Sequence, residues 1–220
     1  MLPNLEIMTV LLADPQIAAI PARENGDPLV DVTSFGLLYT GDGDAGRYVR
    51  HALALRLASA QAQLPGGIQL LIREGHRSPE DQEGIFSRYS QSLRREMPGL
   101  DEFSLRRLTS RFVSPIGVAP HVAGAAVDLT LADASGAPLW MGTPIDATPE
   151  ESRNACAFDA TNISANARVN RGMLASALEA QGLVNYPTEW WHWSYGDRYW
   201  AYATGADHAI YAPVARRAAA

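Results

Sequence analysis

An α+β fold, with helices packed on a mainly antiparallel sheet, is predicted by two features of this 220-residue chain. Well-marked helix signals lead in the first half, and short β-branched or aromatic runs dominate the second. There is no internal repeat, low-complexity tract or linker, so the expectation is one domain over residues 1–220.

In chain order, residues 28–32 read as an edge strand. Asp44 caps a helix predicted to run to about Gln63. Tyr48, Ala52 and Leu55 form one stripe of that helix, and Val49, Leu53 and Leu57 lie beside them. Pro65-Gly66-Gly67 stops it, and residues 68–72 read as a buried strand. Ser78-Pro79-Glu80-Asp81 is a strong helix start, with a hydroxyl cap, proline at the first position and acids at the positive end of the dipole. That helix is expected to end near Met97, before Pro98-Gly99, with a shorter one between Asp101 and Phe112. Residues 125–131 read as a strand and 132–136 as a turn. A helix follows from about Ala165 to Gln181, closed by Gly182. Strands over 183–186, 189–194 and 200–203 complete the prediction.

Composition narrows the function classes. A hydrophobic content of 47% and charged content of 19% describe an ordinary globular protein. The net charge of −6 argues against nucleic acid or an anionic membrane as partner. All 18 basic residues are arginine. The single Cys156 excludes an internal disulfide framework and a multi-cysteine metal site, and is read as a small semi-buried thiol. No apolar run approaches the ~20 residues that span a bilayer. The start, Met1-Leu2-Pro3-Asn4-Leu5-Glu6, lacks a basic leader region, so a cytoplasmic location is expected.

Two motifs carry chemistry. One is His121-x-x-Gly124-x-Ala126-x-Asp128; the other is Glu189-Trp190-Trp191-His192-Trp193. In a strand over 127–131, Val127, Leu129 and Leu131 face the core and leave Asp128 and Thr130 on the other face. An acid there is costly unless satisfied, and a metal satisfies it. Gly124 permits a sharp turn that brings His121 back beside Asp128. Glu189 and His192 are three apart, so regular alternation would separate them unless Glu189 lies at the strand start or beside a bulge. Each motif alone has a plain structural reading: a loop histidine, a strand-edge acid, an aromatic core strand. Together they supply two imidazoles and two carboxylates, the groups a hydrolytic zinc site needs.

These motifs resemble those of the D-alanyl-D-alanine dipeptidases of vancomycin resistance, within the wider zinc D,D-peptidases. That family carries Ser-x-His-x-x-Gly-x-Ala-x-Asp and Glu-x-x-His, matched here by His121, Gly124, Ala126, Asp128, Glu189, Trp191 and His192. The resemblance implies one zinc per chain, bound by His121, Asp128 and His192, with Glu189 as catalytic base. It implies a zinc D,D-peptidase-like fold, and hydrolysis of a small dipeptide or amide. Glu74-Gly75-His76-Arg77 is similar to a family segment and nominates Arg77 as oxyanion donor; its plainer reading is an arginine paired with Glu74 or Glu80. Residues 141–144 and Asp146 also look like the family's segment between its metal motifs. His76 is either a substrate contact, a support for the site or a loop histidine, and His51 and His208 are assigned no role.

The chain departs from the pattern at three points. Ala119 replaces the motif serine, His76 stands where tyrosine is usual, and Ser78 intervenes before Pro79. Because the serine helps hold the dipeptide, D-Ala-D-Ala is expected to be hydrolysed weakly or not to be preferred, unless Ser114 or Thr130 takes over. An amidase on another small amide, and a metal-bearing binding protein without catalysis, are the competing readings.

Overall fold

The structure, a computed structural model, describes residues 9–110 and 112–215. The leader reading at residues 1–6 lies outside the described residues. Helices are α1 Pro15–Ala18, α2 His51–Gln61, α3 Pro79–Glu96, α4 Glu102–Thr109, α5 Pro149–Ser152, α6 Ala165–Glu179 and α7 Arg198–Thr204. Strands are β1 Leu29–Asp31, β2 Leu38–Tyr39, β3 Tyr48–Arg50, β4 Gln69–Glu74, β5 Ala126–Ala132, β6 Val184–Asn185 and β7 His192–Ser194. Five of them form a sheet in the order β2-β4-β5-β7-β6, and β1 and β3 form a separate ribbon. Only β2–β4 is parallel among these pairings. The chain is therefore α+β and mainly antiparallel, as the sequence predicts.

Alternation along the two central strands divides the sheet. Leu70 and Ile72 of β4, with Val127, Leu129 and Leu131 of β5, turn to one face and pack in the main core with Leu53, Leu57, Leu174 and Leu178 of α2 and α6. Trp190, Trp191 and Trp193 complete that core. The other face carries Asp128 and Thr130, with His192 paired opposite Asp128. A register shift between Ile72 and Glu74 sets Glu74 directly opposite Asp128 as well. Without that bulge Arg73 would occupy the position. The α3–α4 hairpin stands over this polar face and contributes Gln82 and Ile85 to the cavity left between them.

Four expectations need correction. No helix begins at Asp44: residues 45–47 form a single 3-10 turn, 48–50 become β3, and α2 starts at His51. Pairing with β1 outcompetes the helical pattern, because buried Arg50 is anchored from β3 to Ala123 O, Asp27 O, Glu24 and Ala212 O. The stripe through Tyr48 and Leu55 consequently fails, and Leu55 is exposed. Residues 200–203 are helical rather than extended, since Asp197 caps α7 by accepting from the Tyr199 and Trp200 amides. Strands are not concentrated in the second half, because β1 to β4 all precede residue 75. The last motif strand is also shorter than expected, beginning only at His192.

The rest stands close to prediction. Ser78 Oγ accepts from the Asp81 amide at the start of α3, α4 and α6 fall inside their predicted ranges, and Gly182 has φ +75°. Among the described residues no helix is long and apolar enough to cross a membrane.

Candidate metal centre

The backbone brings His121 to Asp128 through one tight turn. His121–Ala123 is a 3-10 turn, and Gly124 ends it at φ +64°. A Cβ at Gly124 would stand 2.4 Å from Leu29 Cδ2, the movable end of a side chain, so it is the left-handed dihedral that favours glycine. The second turn belongs to the aromatic motif. The Glu189 amide donates to Tyr186 O and the His192 amide to Glu189 O. This places Glu189 before the strand, so an acid and a histidine three apart can share one side, as their spacing requires.

His121, Asp128 and His192 are all buried, and one ligand atom from each lies within 4.8 Å of the others. His121 Nδ1 donates to Gly75 O at 2.7 Å, which assigns its proton and leaves Nε2 with a free lone pair. That Nε2 is 3.1 Å from His192 Nδ1 and 3.3 Å from Asp128 Oδ2. His192 Nδ1 is 3.0 Å from Asp128 Oδ1. Donor atoms at about 2.0–2.1 Å from a tetrahedral zinc stand about 3.3 Å from one another, which the imidazole–imidazole separation approaches, while the two carboxylate distances run to different oxygens of Asp128. Two imidazoles and a carboxylate also form a donor set that zinc accepts.

The two carboxyl groups at this point sit in contrasting surroundings. Burial works to raise the Asp128 carboxyl, but His121 and His192 overcome it and hold Asp128 well below the usual range. Glu189 behaves oppositely. Burial, then the charges of Asp128 and Asp146, push its carboxyl well above the usual value, with Arg77 opposing. Its Oε2 is 3.9 Å from His192 Nδ1. Glu189 is thus beside the cluster, disposed to carry a proton.

Arg77 lines the same cavity, whose volume is about 280 Å³. Its Nε and Nη2 donate to the two oxygens of Glu74 at 2.8 and 2.5 Å, and Nη1 donates to Gln82 Oε1 at 2.9 Å. The pairing with Glu74 suspected from sequence is therefore present, and it holds the guanidinium at the cavity instead of removing it. Burial opposes the charge, but Glu74 outweighs it, so Arg77 stays cationic.

Not every candidate joins the site. His76 is buried and directs Nε2 to Val214 O at 2.9 Å, and it does not line the cavity. His51 and His208 do not line it either. Ser114 and Ala119 do, whereas Thr130 lines a different cavity. Two residues were missed. Gln82 is 2% exposed and ties Arg77 to Ser114 O through its Nε2; its place in the first turn after Ser78-Pro79 was available as a signal. Asp146, noted only for its segment, has φ +65° and lines the cavity. Desolvation, then Asp128 and Glu74, raise its carboxyl to about 6.

Comparison with known proteins follows the same lines. The chain matches the family model described as D-ala-D-ala dipeptidase over residues 45–209. It is 30% identical over 115 residues to a D-alanyl-D-alanine dipeptidase of Synechocystis sp., covering 46% of this chain and 44% of that protein. It is 39% identical over 74 residues to a D-alanyl-D-alanine dipeptidase of Enterococcus faecium, covering 33% and 35%. The chain thus spans less than half the length of these curated relatives. Among solved structures, the LdcB LD-carboxypeptidase superposes with a TM-score of 0.48 at 19% identity, covering 84% of this chain and 75% of that one. VanYB in complex with D-Alanine-D-Alanine gives 0.41 at 16% identity, covering 72% and 78%. Because the family match runs from before the Arg77 loop to beyond the last strand, the chain belongs to the D-ala-D-ala dipeptidase family.

Proposed function

We propose that this chain is a zinc-dependent hydrolase of a small peptide or amide bond, dipeptidase-like in its reaction, acting as one domain over residues 1–220. The observation that carries this reading is the convergence of His121, Asp128 and His192 within 4.8 Å, with the Glu189 carboxylate 3.9 Å from His192. One zinc per chain would be held by those three residues, and when bound it supplies Lewis acidity toward water and a carbonyl oxygen.

The remaining work falls to the chain's own groups. Glu189, with its raised affinity for a proton, accepts one from the attacking water and returns it to the leaving amine. Arg77, fixed by Glu74 and Gln82, donates to the oxygen that gains negative charge as the amide carbon becomes tetrahedral. Asp146 offers a carboxylate, ionised above pH about 6, to the free amino group of a small substrate. A protein that only binds metal needs neither Glu189 nor Arg77 in this cavity.

Ala119 favours a second reading of the substrate. With Ile85, Phe112 and Val113 it gives the cavity an apolar side where the family motif has a hydroxyl. A different small amide is then the preferred substrate and D-Ala-D-Ala a weaker one, with Ser114 as the hydroxyl able to compensate. The test is an assay of the zinc-loaded protein against D,D-, L,D- and L,L-dipeptides and simple amides. Turnover of at least one supports the hydrolase reading, and its absence throughout overturns it. A specificity constant highest for D-Ala-D-Ala would overturn the second reading alone.

A further inference from the structure

We propose that Asn185 is a positioning residue of the metal centre: its side-chain amide locks the Glu189–His192 turn and so aims the His192 ring and the Glu189 carboxylate. The inference rests on the proposed zinc site, in which His192 is a ligand and Glu189 stands beside it.

Asparagine is a poor strand residue, yet Asn185 forms half of β6, which pairs only Val184 with Ser194 and Asn185 with Trp193. Its side chain supplies the reason. Nδ2 donates to Glu189 O and to His192 O, both at 3.0 Å. Trp190 O stands 3.5 Å from the same nitrogen and accepts from Trp193 Nε1 at 3.1 Å. Carbonyl oxygens gathered about one atom can face only the NH2 end of an amide, which assigns its orientation. The two hydrogens then serve the two carbonyls at the ends of the turn.

Each of those carbonyls already has one backbone donor. Glu189 O accepts from the His192 amide at 3.2 Å, and His192 O from the Tyr186 amide at 3.0 Å. Asn185 fills the second lone pair of both and joins the two ends of the turn through one atom. The sheet does not do this, because β7 begins only at His192 and leaves Glu189 outside the ladder. Nor does the acid's contact with the histidine hold it, since Glu189 Oε2 is 3.9 Å from His192 Nδ1, beyond hydrogen-bond reach. The Glu189 carboxylate is therefore placed through its backbone. The same holds for the direction of His192 Nδ1 toward Asp128 and His121, because a metal ligand has to be held within about 0.5 Å of its working geometry.

The test compares two variants of the full chain. Asn185→Leu keeps the bulk and removes the donor, and Asn185→Ser keeps one donor on a shorter arm should Asn185→Leu not fold. Zn2+ affinity is measured by competition with a chelating dye, and the visible spectrum of the Co2+-loaded protein reports ligand geometry. Leu178→Ala, in the main core and not in the metal cavity, calibrates a loss of stability alone. Zn2+ affinity should fall about 10- to 100-fold in Asn185→Leu, as when the support of a metal ligand is removed, and less in Asn185→Ser. The Co2+ spectrum should change with it, whereas Leu178→Ala should melt earlier and keep wild-type affinity and spectrum. On any dipeptide that the wild type hydrolyses, kcat of Asn185→Leu at saturating zinc should fall by a larger factor than KM rises. Wild-type Zn2+ affinity and Co2+ spectrum in a folded Asn185 variant would overturn the positioning role and leave the zinc site standing. An equal loss of affinity in Leu178→Ala would overturn it too, as an effect of stability alone. Absence of saturable Zn2+ binding in the wild type would overturn both the role and the site.

Discussion

At the scale of single residues, the metal cluster and its neighbours make separable predictions. His192→Ala removes one of the three proposed ligands, and metal analysis of the purified variant should show zinc occupancy far below that of wild type. Glu189→Ala should behave differently. The acid is assigned as a proton carrier and not a ligand, so zinc stays bound while turnover of a verified substrate falls roughly 10²- to 10⁴-fold. Loss of zinc in that variant would make Glu189 a ligand. Arg77→Ala removes the proposed oxyanion donor, and single-turnover rates should drop roughly 10²- to 10³-fold. Its ion pair with Glu74 adds a complication, because the bereft carboxylate is left opposite Asp128. A Glu74→Gln/Arg77→Ala double variant measured beside the singles would separate the two effects.

At the scale of elements, two turns decide whether the functional side chains meet. Gly124→Ala is expected to destabilise the fold by about 1–3 kcal/mol, since φ +64° is a left-handed conformation and Leu29 Cδ2 must move aside for the new Cβ. The distinguishing readout is zinc affinity, which should weaken beyond what a change in melting temperature explains, because the turn aims His121. Unchanged zinc binding in a stably folded Gly124→Ala would mean the turn only connects and does not aim. The element-scale errors have a common cause. Residues 44–50 carry a helical pattern, and what overrides it, the partner strand β1 and the anchors of Arg50, is remote in sequence. For α7 the capping signal at Asp197 is local, and it outweighs the strand preference of the aromatic residues Tyr199, Trp200 and Tyr202.

At the scale of the whole molecule, the site lies between the polar face of the sheet and the α3–α4 hairpin, so metal binding should stabilise the assembly of both. Zinc at about 100 times its Kd would add about 2.7 kcal/mol to the stability of the folded state if the unfolded chain binds none. Calorimetric melting with chelator and then with restored zinc should show a reversible rise in Tm. Asp128→Asn should abolish most of that rise; a full rise in this variant would place the stabilising ion elsewhere.

The chemistry was legible in the sequence because it resides in short local patterns. His121, Gly124, Asp128, Glu189 and His192 sit within two short segments, where Gly124 permits a turn before one strand and the Glu189–His192 spacing calls for a strand start or a bulge in the other. The α+β class and the bounds of α3 and α6 were equally local, set by caps and breakers that act within a few residues. Only the tertiary structure decided that Glu74 faces Asp128, since this depends on a bulge in the pairing of β4 with β5. It alone joined Gln82 to Arg77 and Ser114, and separated Ser114 from Thr130 into different cavities. Register and the packing of one element over another are contacts between distant parts of the chain, and no local spacing encodes them.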